Sequence, residues 1–226
     1  MAAAFSIDVY SDMVCPWCFL GKRRLEAAFA ERPGLAVDVR WRPFELNPDM
    51  PALGVDRGEY MDRKFGDSAR VRATQDRLAE LGRALGIDYR FEAITRVPNT
   101  RAAHALARAA GARQGAVIEA LFQAYFEQGR DIGDLGELER IATAAGLDGR
   151  VSRAALTAAT ALAEVAAEER ASEELGIRGV PLFVFAGRWT VSGAQEPATL
   201  LAAFDHVAAA LGSAGATGAP AGPIRG

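Results

Sequence analysis

The chain has 226 residues, half of them hydrophobic, and its 29 acidic and 26 basic side chains leave a net charge of −3. That length suits one large domain or a domain with a big insertion. The charges are interleaved, with no dense basic block for a nucleic-acid face and no run of 18 apolar residues to span a membrane, so neither partner is expected.

Met1 to Phe5 has no basic segment and no long apolar stretch, so no export signal is expected and the chain reads as cytoplasmic. Phe5 to Tyr10 then forms an apolar, strand-like run that ends at Cys15-Pro16-Trp17-Cys18, which holds the only two cysteines. A Cys-x-x-Cys at a strand-to-helix junction puts the first sulfur on the helix N-terminus, where unpaired N–H groups and the dipole favour thiolate over thiol. Cys15 is then the nucleophile. Cys18, about one turn inside the helix on the same face, can attack a mixed disulfide formed at Cys15. Pro16 fits a first turn, where its missing N–H costs nothing.

A zinc half-site would need two more soft ligands. The chain offers only His104 and His206, with no ligand-like spacing, so no metal is expected. A structural disulfide would close a tiny loop and add little. Redox chemistry is the reading that remains, and in a reducing compartment a vicinal pair is catalytic or redox-sensing.

Helical spacing of Cys18, Leu25, Ala28 and Phe29 carries the first helix to Pro33-Gly34. Partial alternation over Leu35 to Phe44 gives a second strand with a Pro-rich exit at Pro43, Pro48 and Pro51, completing a β-α-β unit. From Arg57 to Glu174 strong helix formers dominate. The basic residues of Arg57 to Arg77 alternate with Glu59, Asp62, Asp67 and Asp76, as on a solvated helix face. Breaks at Gly66, Gly86-Ile87-Asp88, Val97-Pro98-Asn99, Gly111 to Gly115, Gly129 to Gly136 and Gly146 to Gly149 predict five or six helical elements. An Ala-rich helix over Thr100 to Ala110 starts at a cap supplied by Asn99 or Thr100.

The pattern returns to strands at Val180 to Phe185 and Trp189 to Ser192, a hairpin turned at Ala186-Gly187-Arg188. Glu196-Pro197 opens a last helix to about Leu211 with Leu200, Leu201, Phe204 and Val207 on its apolar face. Residues 213–226, rich in Gly, Ala and Pro, have no periodic apolar face and are expected to be a disordered tail.

This order resembles a thioredoxin fold interrupted by a large all-helical insertion, an α/β fold of the DsbA-like thioredoxin family. The motifs Ser11-Asp12-Met13-Val14-Cys15-Pro16-Trp17-Cys18-Phe19-Leu20-Gly21, Trp41-Arg42-Pro43-Phe44-Glu45-Leu46, Val97-Pro98-Asn99-Thr100, Gly176-Ile177-Arg178-Gly179-Val180-Pro181 and Ser192-Gly193-Ala194-Gln195 are similar to its FrnE-type cytoplasmic branch. The resemblance implies a thioredoxin-like domain over 4–50 and 165–212 and an insertion over 55–164. It implies catalytic Cys15 and Cys18, and substrate contacts at Pro16, Trp17, Val180 and Pro181. From the residues alone Val180-Pro181 reads as an ordinary trans turn; the resemblance implies a cis bond facing Cys15, with the Val180 backbone pairing to an extended substrate.

Trp17 stands where DsbA carries histidine and cannot act as a cation, which implies a milder oxidant; it is either a docking surface or a plain apolar rim residue. His104 is either a packed helix histidine or a site residue. Asn99 is either a cap or a residue near the thiol substrate. The implied function is thiol–disulfide exchange with a protein or small-molecule disulfide or dithiol, needing no resident cofactor, with glutathione a candidate co-substrate. The alternative is a glutathione-dependent isomerase or transferase like 2-hydroxychromene-2-carboxylate isomerase or the kappa-class glutathione transferases. Those usually carry serine where Cys15 stands.

Overall fold

In the computed structural model, residues 5–66 and 68–214 are described, with side chains through 212. The tail expected over 213–226 lies outside them except for Ser213 and Ala214, which continue the final helix. β1 (Phe5–Ser11) buries every second residue, so Phe5, Ile7, Val9 and Ser11 point into one face. A parallel neighbour requires a crossover. α1 (Pro16–Ala30) supplies it and returns the chain to β2 (Val37–Pro43), with Val9 opposite Trp41.

The sheet is completed from the far end of the chain. β5 (Leu182–Phe185) lies antiparallel to β1, with Val9 opposite Phe183, and the hairpin brings β6 (Trp189–Ser192) to its edge, giving the order β2-β1-β5-β6. α9 (Pro197–Ala214) packs against α1. Phe204 stacks on Phe29 at 5.1 Å and tilts against Phe5 and Phe185, so the apolar face read from the sequence of this helix seals that side of the sheet.

Between β2 and β5 run α2 (Arg57–Phe65), α3 (Ser68–Arg83), α4 (Arg101–Ala109), α5 (Gln114–Phe122), α6 (Leu135–Ala144), α7 (Gly149–Thr157) and α8 (Ala159–Glu174). That is one more helix than the upper expectation. α7 and α8 are separated at Ala158, whose extended backbone (φ −75°, ψ 123°) breaks the run without any glycine or proline. The segment expected to be all helical also holds a two-stranded ribbon, β3 (Val55–Asp56) against β4 (Arg96–Val97). Residues 123–127 continue α5 as a π-helical turn. Asp56, Asp134 and Asp148 each accept from first-turn N–H groups and start α2, α6 and α7.

One contiguous apolar cluster joins the sheet to these helices. Phe19 on α1 stacks on Phe122 at 5.0 Å, and both meet Phe126. Buried Lys22 reaches Glu26 and Glu119 at 2.5 and 2.6 Å, tying α1 to α5 by charge as well. α1 is therefore covered by α9 on one side and by the inserted helices on another, which holds its first turn in place.

Candidate active site

Cys15 is the residue immediately before α1, in extended conformation (φ −92°, ψ 111°), with Pro16 in the first helical position. Its N–H donates to the Asp12 carbonyl at 3.0 Å and its carbonyl accepts from Cys18 N–H at 3.0 Å, so a tight turn delivers the thiol to the helix end. The first turn carries no acidic side chain to oppose the helix dipole. Both cysteines are free thiols. Both are also buried, Cys15 at 5 % exposure and Cys18 at 1 %, but only Cys15 borders open space. Burial, and then the neighbouring Cys15, push the Cys18 thiol well above its ordinary value.

The loop before β5 closes over this turn. Val180-Pro181 is a cis peptide, and the Val180 carbonyl lies 3.9 Å from Cys15 Sγ, which donates to it. Pro181 can sit so close because of Gly21. A Cβ there would be 3.1 Å from Pro181 Cγ and 3.3 Å from Phe183 Cζ, so this position in the second turn of α1 must lack a side chain. The Pro181 carbonyl is occupied by Gly193 N–H at 2.8 Å.

The space beside Cys15 is a cavity of about 780 Å³, in the range of small-ligand sites. Val14, Cys15, Pro16, Trp17 and Val180 form its thiol end. Much of its remaining wall comes from the inserted segment: Leu78 on α3, Phe91 and Ile94 in the connection after it, Val97 on β4, and Tyr125 and Phe126 on the π-helical turn. Trp17, 36 % exposed, is on its rim. Thus Cys15, Cys18, Pro16, Trp17, Val180 and Pro181 are brought together.

Asn99 and His104 are not among the residues lining this cavity. Asn99 donates to the Met50 carbonyl at 2.8 Å and accepts from Arg101 N–H at 3.0 Å, so from the position before the N-cap Thr100, whose own side chain makes no cap bond, it satisfies the first N–H of α4. His104 is buried behind the thiol loop, its Nε2 3.6 Å from Asp12 Oδ1 and without a hydrogen-bond partner, beside a cavity of about 10 Å³. Asp12 in turn accepts from Leu46 N–H at 2.7 Å, so it pins the loop that precedes Cys15 to the loop after β2.

The match to known proteins covers nearly the whole of this arrangement: residues 6–205 fit the DSBA-like thioredoxin domain. The chain belongs to that family. Among solved structures, a DSBA-like relative described as a probable DsbA oxidoreductase from Streptomyces coelicolor is 32 % identical, with a TM-score of 0.77 over 97 % of this chain and 94 % of that one. The cytosolic disulfide reductase DsbM from Pseudomonas aeruginosa, solved with GSH, shares the fold at 21 % identity and a TM-score of 0.57, over 92 % of this chain and 98 % of that one. A 2-hydroxychromene-2-carboxylate isomerase shares it at 19 % and 0.68, over 92 % and 98 %.

Within the DSBA-like frame, several residues at the site carry no sequence signal. Tyr89 is buried, and its hydroxyl donates to the Pro16 carbonyl at 2.6 Å, inside the Cys-x-x-Cys turn. Its ring meets Phe19 edge-on at 5.9 Å and stacks on Phe91 at 5.0 Å. Burial raises its phenol, keeping it a neutral donor. Tyr60, Asn47 and Lys64 form a polar wall: Tyr60 OH donates to Asn47 Oδ1 at 2.7 Å, and Lys64 Nζ reaches both, at 2.5 and 3.0 Å. Behind the second loop, Arg101 grips Glu45 at 3.1 and 2.6 Å, while Glu169 accepts from Glu45 N–H at 2.5 Å. Burial, then Glu45, pushes Glu169 up to about 7. Glu45 and Leu46 fall inside a motif quoted above. Tyr89, Lys64 and Glu169 fall inside none.

Proposed function

We propose that this DSBA-like protein is a thiol–disulfide oxidoreductase in which Cys15 exchanges with a disulfide or dithiol substrate and Cys18 resolves the mixed disulfide. The observation that carries this reading is the asymmetry of the pair: Cys15 lies at the start of α1, faces the Val180 carbonyl and opens on the cavity, while Cys18 is covered behind it. In the reducing direction, Cys15 thiolate attacks one substrate sulfur and expels the other as thiolate. Cys18 then attacks Cys15 Sγ, releasing the second substrate thiol and leaving a Cys15–Cys18 disulfide. Two electrons pass to the substrate; the reverse sequence oxidises a dithiol.

Trp17 at the rim and the Val180 backbone beside the thiol are the contacts we assign to substrate. Glutathione is our candidate co-substrate, supported by a cavity of small-ligand size beside Cys15 and by the GSH-bound DsbM. A cytoplasmic site of action rests on the FrnE-type motifs and on the same cytosolic relative. Among the described residues no helix is long and apolar enough to cross a membrane. The cavity and the isomerase likeness also support a glutathione-dependent isomerase, but that chemistry needs no second thiol. Titrating the reduced and oxidised pair against glutathione tests the main reading. A reversible two-electron transition that requires both Cys15 and Cys18 is expected; a pair that fails to form an intramolecular disulfide would overturn it.

A further inference from the structure

One face of α2 looks into the cavity: Arg57, Tyr60, Met61 and Lys64 follow at i, i+3, i+4 and i+7 and all line it. Lys64 Nζ is held by two neutral oxygens, Tyr60 Oη and Asn47 Oδ1, which leaves one of its three donors open. Among the described residues, neither Lys64 nor Arg57 has a carboxylate partner, and neither aspartate nor glutamate lines the cavity. Arg70 adds a third cation to the lining. A lining without carboxylates is unusual in a chain where acids outnumber bases. Leu78, Phe91, Ile94, Val97 and Phe126 build an apolar wall, with Thr74 and Gln75 of α3 as further polar lining.

A ligand complementary to all three regions carries an exchangeable sulfur, an apolar body and an acid group. We propose that the cavity takes a low-molecular-weight dithiol or disulfide acid, with its sulfur at Cys15, its apolar body on the Phe91–Phe126 wall and its carboxylate held by Arg57 and Lys64. The proposal rests on the thiol-exchange reading and adds the substrate class. A volume of about 780 Å³ favours such a molecule over a folded partner. With the protein pair oxidised, one substrate thiolate attacks Cys15 Sγ and expels Cys18 as thiolate. The second substrate thiol then attacks the mixed disulfide, closing the substrate disulfide and freeing Cys15. Two electrons move from substrate to protein, and the two substrate protons end on Cys15, Cys18 or solvent.

Dihydrolipoate and dihydrolipoamide are matched probes, since they share the dithiol and the apolar chain and differ in the carboxylate. Full-length oxidised protein is mixed with each, quenched, and scored for reduced Cys15–Cys18 by mass spectrometry. The acid should react about tenfold faster than the amide, the worth of one charge-assisted hydrogen bond, and salt should narrow the gap. Lys64→Gln on the exposed end of α2, and separately Arg57→Gln, should slow the acid towards the amide rate and leave the amide rate unchanged. Equal rates for acid and amide in the wild type would overturn the proposal. So would faster reaction of an acidic dithiol peptide, which would assign the cavity to polypeptide. 2,4-Dimercaptobutanoate, an acid dithiol that closes the same five-membered disulfide ring but lacks the apolar chain, should show a higher KM than dihydrolipoate; a lower one would remove the apolar contact. A protein that reacts with none of these dithiols loses the thiol-exchange reading itself, which is a different result.

Discussion

At the scale of single residues, the two cysteines are separated by access and by environment. Cys15 borders the cavity, whereas Cys18 is covered and its thiol is pushed up by burial. Brief alkylation of reduced protein should therefore label Cys15 first, as read by peptide mass spectrometry; preferential labelling of Cys18 would exchange their roles. Tyr89 holds the turn between them through the Pro16 carbonyl. Tyr89→Phe keeps the ring packing against Phe19 and Phe91 and removes that one bond, so it should cost about 1 kcal/mol in denaturant unfolding. It should also change the Cys15 alkylation rate, which a purely structural role for the ring would leave alone.

At the scale of elements, the site depends on close approaches that glycine permits. Gly21→Ala would place a Cβ 3.1 Å from Pro181 Cγ and 3.3 Å from Phe183 Cζ, forcing α1 and the Val180-Pro181 loop apart. A destabilisation of about 1–3 kcal/mol is expected in chemical denaturation, together with slower disulfide exchange. A Cβ on Gly82 would sit 2.7 Å from the Tyr89 ring, so Gly82→Ala should disturb the same turn from α3. The elements that were legible are those with punctuation. β1, the Cys-x-x-Cys helix start, the β5–β6 hairpin and the apolar face of α9 are bounded by Pro, Gly or strict periodicity, and each forms where its pattern places it. The break at Ala158 and the π-helical turn at 123–127 have no such marks within them, because tertiary packing sets them, and the two-residue strands of the β3–β4 ribbon, though flanked by Gly54 and Pro98, are too short to show a period. Residues 88–97 lie in the stretch read as helical, yet hold only one 3-10 turn, Phe91–Ala93, and the strand β4; they bring Phe91, Ile94 and Val97 to the cavity and Tyr89 to the Pro16 carbonyl. The thiols could be read from local spacing, but Lys64, Tyr89 and Glu169 reach the site only through the fold.

At the scale of the molecule, the sheet and the inserted helices share one apolar cluster through Phe19, Phe122 and Phe126. We therefore expect residues 4–50 and 165–212 to unfold together with 55–164, in one transition seen alike by fluorescence and circular dichroism. The buried acids behind the thiol loop should make that transition pH-dependent. Glu169 faces Glu45, Arg101 and His104, and its value rises from 4.5 to about 7 on folding, so the folded protein binds this proton more tightly. The associated stability is present below about pH 4.5 and is lost as pH rises through about 7. Between pH 5 and 8 the melting temperature of Glu169→Gln should fall less than that of the wild type; parallel falls would exclude Glu169 as the source. The most direct test of the central claim is covalent trapping on a disulfide substrate. Cys18→Ser should accumulate a mixed disulfide at Cys15, resolvable by dithiothreitol, while Cys15→Ser forms no adduct and has no exchange activity. Full activity in Cys15→Ser, or no adduct in Cys18→Ser, would contradict the account.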